Sequence, residues 1–266
     1  MGNIKYFRIK TIIKILLLLA ALVVIEYFIF TKLDFFLKII ASLMAFVLIV
    51  VLIYLIISSY KENYKEEVLK PYLKELGYEY DPDDGIDEIE LDGFGLFNFE
   101  YDYLVTEDLV RDETSRMSFA EFSKIITDKG EEFEKILFKG FVYEIYRSVE
   151  LRNKIVIIPN EKEAVPVVYA DGRVKTNSEK FEKEFDVFSY DEDEVMEVLD
   201  EELMDKFMKL NREFGIDKII FDSNRLYIAK SGKSFGEKIS ILKSVNDKNI
   251  EEIIKPVKIL DIAKNI

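Results

Sequence analysis

Two carboxylates interrupt segments that are otherwise apolar and aromatic: Glu121 in "FAEF" and Glu144 in "FVYEIY". Burial in a strand of this kind raises the pKa of a carboxyl group and suits it to acid–base chemistry. The alternative is placement at an edge or on the solvent face, because polar residues of alternating strands usually point outward. Glu121 and Glu144 are therefore the candidate catalytic residues, and we expect joint action only if they converge in one enclosed pocket.

Four consecutive acidic residues, Asp191 to Glu194, raise the question of a metal or catalytic site. Ser189 with Glu192 three residues later matches a capping box, and carboxylates in a first helical turn are stabilised by unpaired amides and the helix dipole. Gly215 stands where a C-terminal cap belongs. The sequence therefore predicts one helix that opens at the acidic run, with an apolar stripe made by Met196, Leu199, Leu203, Phe207, Leu210 and Phe214.

The chain contains neither histidine nor cysteine, which excludes Ser-His-Asp triads, Cys nucleophiles with a His base, and thiolate or two-His metal sites. "DPDDG" fails the calcium-loop pattern, because position 86 is isoleucine and not glycine. "SGKS", Ser231 to Ser234, fails the phosphate-loop pattern because position 227 is tyrosine. "GFG", preceded by an acidic loop, is too short for a dinucleotide fingerprint. We expect no metal and no cofactor.

Two apolar segments near the N-terminus are long enough to cross a bilayer. Thr11 to Phe30 is interrupted only by Lys14 and Glu26, and Ile39 to Ile57 carries no charge. A helix of about 20 residues spans roughly 30 Å, which is the thickness of the hydrocarbon core. The turn Thr31 to Asp34 joins them, so the sequence predicts a transmembrane hairpin that contacts lipid through residues 11–57.

Glu26 is the one carboxylate inside a predicted span, and intramembrane acids are functional candidates. The alternative is that its side chain reaches interfacial water or meets Lys32 or Lys38. Thr11 and Ser42 are too few and too distant from Glu26 to make an ion pathway, so the sequence favours the interfacial interpretation.

Charge indicates the orientation and limits the partners. The first 60 residues carry a net charge of +4 against −14 for the whole chain, which leaves −18 for residues 61–266. Basic residues before the first span and after the second place both termini in the cytoplasm. A surface this acidic repels nucleic-acid phosphates and anionic headgroups, so we expect other proteins, membrane proteins among them, as partners and no nucleic acid.

The sequence predicts an α+β fold: a membrane hairpin (1–60), a juxtamembrane amphipathic stalk and turn (61–92), in which Pro71 bends the helix, and a cytoplasmic domain (93–266) with a mainly antiparallel sheet and packed helices. The sequence predicts that the C-terminal tail, Lys238 to Ile266, is a helix kinked at Pro256 that packs on the sheet; the alternative is that this helix binds a partner.

β-Branched and aromatic segments predict strands at Ser118–Thr127, Lys135–Arg147, Lys154–Pro159, Ala164–Tyr169 and Phe181–Ser189. They also predict a hairpin at Asp217–Lys230 with its turn at Ser223 and Asn224.

The order of these pieces resembles the bacterial membrane protein family with domain of unknown function 3137. After the hairpin and stalk come "EDLV", "FAEFSKI", "ILFKGFVYEI", "FEKEFDVFSYDEDEVMEVLDEELMDKFMKL" and "RLYIAKSGKSFGEK". The family's helix begins with a Leu-Thr-Pro-like sequence, where this chain has "LDEE", Leu199 to Glu202. The resemblance implies a multi-pass protein of the bacterial inner or plasma membrane, and it brings no catalytic residues.

The leading hypothesis is thus a membrane-anchored cytoplasmic interaction or regulatory module without catalytic activity. One alternative is a carboxylate-dependent membrane-proximal hydrolase that uses Glu121 and Glu144. Another is a β-fold that binds a small ligand or lipid, which a large apolar cavity would support.

Overall fold

The computed structural model describes residues 2–160 and 172–266, with side chains from residue 5 onward. The chain divides into two compact units. A helical unit comprises Met1–Tyr72 and Gly236–Ile253, and a sheet unit comprises Leu73–Phe235 and Ile254–Ile266. The fold is α+β, as the sequence predicts.

Two long helices form the N-terminal part of the helical unit. Helix α1 spans Gly2–Lys32 and helix α2 spans Phe35–Tyr64, and they pack side by side after a turn at Leu33 and Asp34. By length and composition, Lys5–Lys32 and the continuous helix Phe35–Glu75 are each apolar enough to cross a membrane. Most of their large apolar side chains are exposed, as expected for helices that face lipid.

The predicted stalk continues α2. A π-helical turn at Lys65–Leu69 leads directly into α3 at Lys70–Glu75. Pro71 has no amide hydrogen and its ring crowds the carbonyl four residues earlier, so the wider turn, in which the amide of Lys70 bonds to Lys65 O, accommodates the proline.

The second segment of the helical unit includes α9, Asp247–Ile253. It is tied to α1 through Arg8, whose Nε donates to the carbonyl oxygen of Ile241 at 2.8 Å and whose Nη2 donates to that of Leu242 at 3.1 Å.

A nine-stranded antiparallel sheet, in the order β1-β2-β3-β4-β9-β8-β5-β7-β6, forms the centre of the sheet unit. Three pairs of strands that neighbour each other in the sheet are joined by links of only two or three residues, which favours antiparallel pairing. The strands are β1 Glu79–Asp81, β2 Tyr103–Arg111, β3 Ser115–Asp128, β4 Glu131–Tyr146, β5 Ile155–Pro159, β6 Arg173–Val174, β7 Phe185–Phe188, β8 Lys218–Asp222 and β9 Arg225–Ser231.

Helices cover both faces of this sheet. Helix α4, Glu88–Phe94, packs on one face, where Phe94 stacks on Tyr227 with ring centroids 4.3 Å apart; we call this the α4 face. The other, the α7 face, is covered by α7 (Glu201–Phe214) and α10 (Val257–Ala263), with Phe207 against Phe221. The short helices α5 (Glu179–Glu182), α6 (Glu192–Val198) and α8 (Phe235–Lys238) complete the secondary structure of the described residues.

The predicted helix after the acidic run is two helices. Helix α6 ends at Val198, Leu199 leaves the helical conformation, and Asp200 starts α7 by accepting a hydrogen bond from the amide of Leu203 at 2.8 Å. The prediction of one helix was wrong because a single apolar stripe can cross a local break. The break lies at "LDEE", where Asp200 supplies the N-terminal cap of α7.

Most strand predictions are confirmed, and the differences are local. The segment Phe181–Ser189 holds the end of α5 before β7, and Ala164–Tyr169 lies outside the described residues. The predicted acidic loop before "GFG" is α4, with Gly95 as its left-handed C-terminal cap. The tail is two helices around Pro256, of which α10 packs on the sheet.

Candidate functional site

The structure does not bring the two candidate carboxylates together. Glu121 on β3 pairs in register with Lys139 on β4, and Glu144 on β4 pairs with Arg116 on β3. Paired residues share a face, and the two pairs differ by an odd number of positions along β3, so Glu121 lies on the α7 face and Glu144 on the α4 face. The two carboxylates therefore do not converge in one pocket.

Glu144 is fully buried, so the alternative of a solvent-face position does not hold for this residue. One carboxylate oxygen accepts from Arg116 Nε and the other from Arg225 Nη1. Arg116 also makes a two-pronged pair with Glu90 on α4, with both N···O distances at 2.9 Å. The usual rule that polar residues of a strand point to solvent does not hold for Glu144, because arginines on the neighbouring strands neutralise its charge.

This cluster is an internal ion network. Burial alone lowers the pKa of Arg116, but hydrogen bonds and charge attraction from Glu90 and Glu144 outweigh it and raise that pKa above its usual value. Both oxygens of Glu144 are occupied by arginines, so the carboxylate is not placed to exchange a proton with a substrate. The network fastens α4 to the sheet.

Glu121 is partly exposed, with its side chain 25% accessible. Its carboxylate lies 2.6 Å from Lys139 Nζ on the neighbouring strand. A cross-strand pair of this kind stabilises the local register and requires no catalytic role.

The acidic run caps a helix and anchors a loop. The N-terminal cap is Asp191 and not Ser189, since the Asp191 carboxylate accepts from the amide of Glu194 at 3.1 Å. Glu194 is buried and accepts from the amides of Arg152 at 2.8 Å and Asn153 at 2.9 Å. Burial raises the pKa of Glu194, but these hydrogen bonds outweigh it and hold the pKa below its usual value.

The amide directly after the segment "SGKS" is hydrogen-bonded to one of the protein's own carboxylates. The amide of Phe235, directly after Ser234, donates to Asp108 at 2.9 Å, and Tyr80 Oη donates to the same side chain at 2.6 Å. Asp108 is fully buried at a β-bulge with φ 60°. Sequence reasoning missed this residue, although an acid beside apolar Leu109 and Val110 was a signal for it.

The feature of the sheet unit that is best suited to binding another molecule is a set of exposed apolar side chains on the α7 face. Register places Tyr103 and Val105 on β2 on the same face as Ile125 on β3 and Ile136 on β4. Their exposed fractions are 54%, 56%, 40% and 50%. Ile125 and Ile136 belong to a two-stranded ribbon, because β3 and β4 continue past their pairing with β2 and β9. We call these four residues the apolar strip.

Carboxylates accompany the apolar strip. Register puts Glu121, Glu132 and Glu134 on the same face, and Glu134 accepts from Ser123 Oγ at 2.5 Å in the middle of the strip. Lys139 on this face is paired with Glu121. Sequence reasoning missed the strip because β2 was not recognised as a separate strand, although "YLVTEDLV" contains β-branched residues in partial alternation.

The described residues also form an open depression along α7. Asp205, Met208, Lys209, Arg212 and Glu213 line it. Four of these five side chains are charged, so the depression is unlike the apolar enclosure that a lipid or an apolar ligand requires.

Comparison with known proteins identifies the second half of the chain. Residues 136–265 match the family described as "Protein of unknown function (DUF3137)". Over this range the chain is similar to that family. The sequence resemblance is therefore confirmed from β4 to α10, and the match excludes α1, α2 and the strands β1 to β3.

The DUF3137 match contains two features that the structure explains. In "FKG", a Cβ atom on Gly140 would overlap the carbonyl oxygen of Lys230 on β9, so only glycine fits. At "LDEE", Asp200 caps α7.

No curated protein matches the chain. Among solved structures, the crystal structure of the mycobacterial trehalose monomycolate transport factor A, TtfA, is similar with a TM-score of 0.40 and 10% sequence identity, covering 73% of this chain and 92% of that chain. A likeness of this degree carries no functional argument.

Proposed function

We propose that the protein is a membrane-anchored interaction module, with α1 and α2 in the bacterial inner or plasma membrane and the sheet unit in the cytoplasm. The length and apolar character of the two helices support insertion. The basic residues before α1's apolar segment and after that of α2 support cytoplasmic termini.

The docking surface in this proposal is the apolar strip. Four exposed apolar side chains on one face of a hydrogen-bonded sheet are the single observation that carries it. The accompanying carboxylates and the net charge of −18 on residues 61–266 select the occupant. We propose a segment of another protein that carries both apolar and basic side chains, because complementary charge accelerates association and excludes acidic partners.

The two other candidate functions receive no comparable support. A carboxylate-dependent hydrolase needs its acid and base at one site, and Glu121 and Glu144 lie on opposite faces of the sheet. A β-fold for a small apolar ligand needs an apolar enclosure, and the depression along α7 is lined mainly by charged residues.

Single-cysteine labelling tests the topology, because the natural chain contains no cysteine. One variant carries Asp34→Cys in the turn between the apolar helices, and another carries Ile89→Cys at a position that is 85% exposed in the sheet unit. In intact cells, a membrane-impermeant maleimide should label position 34 and not position 89. Labelling of position 89 before cell lysis contradicts a cytoplasmic sheet unit.

Peptide binding tests the docking surface on the full chain in lipid nanodiscs. A peptide of alternating lysine and leucine should bind, and a matched peptide of alternating glutamate and leucine should not. Val105→Glu and Ile136→Glu should each weaken binding about tenfold, equivalent to about 1.4 kcal/mol. Ile89→Glu, which introduces the same charge at an exposed apolar position on α4, is the matched control and should leave affinity unchanged. Equal weakening by all three variants would indicate a general charge effect and contradict docking on the strip.

A further inference from the structure

A side-chain hydrogen bond that the sequence did not suggest joins the two apolar helices. Ser42 Oγ on α2 donates to Glu26 Oε2 on α1 at 2.6 Å. Both residues lie eight positions from Asp34 in the turn, so the antiparallel hairpin sets them opposite each other. The expectation that Ser42 is too distant from Glu26 was therefore wrong, because the hairpin brings together residues that are 16 positions apart in the chain.

Helix lengths place Glu26 within the hydrocarbon and not at its boundary. On α2, Lys38 and Lys61 enclose 22 uncharged residues, or about 33 Å of helix. On α1, Lys14 and Lys32 enclose 17 residues, or about 26 Å, and Glu26 is among them. If the boundary lay at Glu26, the apolar segment that starts at Thr11 would hold only 15 residues, or about 22 Å, even with Lys14 inside it, against a core of roughly 30 Å.

No cation among the described residues neutralises Glu26. The nearest charged groups along the hairpin are Lys32 on α1, Asp34 in the turn and Lys38 on α2. Lys38 Nζ lies over the ring of Phe30 at 5.9 Å, and the hydrogen-bond partner of Glu26 is the neutral Ser42. A carboxylate in hydrocarbon without a counter-charge costs several kcal/mol, whereas a protonated acid that shares a hydrogen bond costs far less.

We infer that Glu26 and Ser42 form a proton-binding site inside the bilayer, in which Glu26 is an uncharged carboxylic acid that accepts the hydroxyl hydrogen of Ser42. The inference rests on the proposed membrane insertion of α1 and α2. The ligand is a proton and not a metal ion, because one carboxyl and one hydroxyl supply too few oxygens for Na⁺, Mg²⁺ or Ca²⁺.

Carbodiimides of different polarity test this site on the full chain in native membranes. In the reaction, the carboxyl proton passes to a carbodiimide nitrogen, the carboxyl oxygen bonds to the central carbon, and the acyl group then migrates to nitrogen. Nothing leaves, so the product is a stable adduct of the added reagent mass that peptide mass spectrometry assigns to a residue. Dicyclohexylcarbodiimide, which partitions into lipid, should modify Glu26, and a water-soluble carbodiimide should modify exposed Asp34 and not Glu26.

Two variants sharpen the outcome. Glu26→Gln should abolish the lipid-phase adduct, and Ser42→Ala should raise its rate about threefold, the value of a typical interhelical hydrogen bond in a membrane. Modification of Glu26 by the water-soluble reagent, or a rate that Ser42→Ala leaves unchanged, overturns the inference. Carbonate extraction distinguishes a failure of this inference from a failure of the proposed function. Release of the chain from the membrane by carbonate would show that α1 and α2 are not inserted and would refute both. A chain that stays in the membrane but whose Glu26 reacts with the water-soluble reagent would refute the proton site alone.

Discussion

Arg116 and Glu144 face each other across β3 and β4, and the pair joins a fully buried carboxylate to the outer helix α4 through Glu90. A second arginine, Arg225 on β9, holds the other oxygen of Glu144. The network of two arginines and two glutamates therefore connects three strands and one helix.

Replacing that carboxylate should destabilise the sheet unit strongly. Glu144→Gln leaves Arg116 and Arg225 short of a counter-charge, and breaking a buried pair in this way costs about 3 kcal/mol. Urea unfolding of the full chain in detergent, followed by tyrosine fluorescence, measures the loss. Glu121→Gln is the matched control, because its pair with Lys139 is partly exposed and should be worth less than about 1 kcal/mol. Equal losses for the two variants would refute the special role of the network.

The stability of the sheet unit should rise with pH because of Lys218. This residue is buried, and burial, followed by repulsion from Lys154, lowers its pKa to about 8, while its Nζ donates to the carbonyls of Gly95 and Leu96. Between the folded pKa and the unfolded value of about 10.4, the unfolded chain binds more protons, so the free energy of unfolding increases as pH rises through this window.

Comparison with Lys218→Met isolates the effect. Urea titration at pH 7 and at pH 10 gives the free energy of unfolding of the wild type minus that of the variant. This difference should be larger at pH 10 than at pH 7 by up to about 3 kcal/mol. Buried tyrosines whose pKa is raised, such as Tyr143, act in the opposite direction above pH 10, but they are common to both proteins and cancel. A difference that does not vary with pH would show that Lys218 titrates normally.

Gly140 should not tolerate a side chain. A Cβ atom at this position would overlap the backbone of Lys230 and Ser231, so Gly140→Ala must separate β4 from β9, with an expected loss of about 1 to 3 kcal/mol. Gly93→Ala is the control, because its Cβ atom meets open space on α4 and alanine favours a helix by about 1 kcal/mol. Thermal melts should shift in opposite directions for the two variants, and a melt for Gly140→Ala at or above the wild-type temperature would be incompatible with the close strand contact.

The cap of α7 should depend on Asp200. Asp200→Ala removes the acceptor for the amide of Leu203 and should cost about 1 kcal/mol in urea unfolding. Asp200→Thr keeps a capping oxygen and should recover most of this loss. If the alanine and threonine variants are equally stable, the side-chain hydrogen bond contributes nothing and the start of α7 has another cause.

Local pattern was sufficient for much of the fold. Apolar runs predict α1 and α2, and β-branched segments predict β3, β4, β5 and the β8–β9 hairpin, because the periods of helices and strands are properties of neighbouring residues. Gly215 predicts the end of α7 for the same reason. By contrast, the local pattern does not predict the break at Leu199, because the same stripe of apolar residues is compatible with one helix or with two.

The sequence by itself determined the two membrane-length helices, the α+β class and the absence of histidine and cysteine chemistry. Only the tertiary structure decided that Glu144 is neutralised inside the sheet, that Asp108 accepts a hydrogen bond from the amide of Phe235, and that Glu26 meets Ser42. Each of these depends on a partner distant in sequence: Arg225 is 81 positions from Glu144, and Phe235 is 127 positions from Asp108. The cost of burying a charge is set by the groups that surround it in space, and short-range sequence patterns carry no record of those groups.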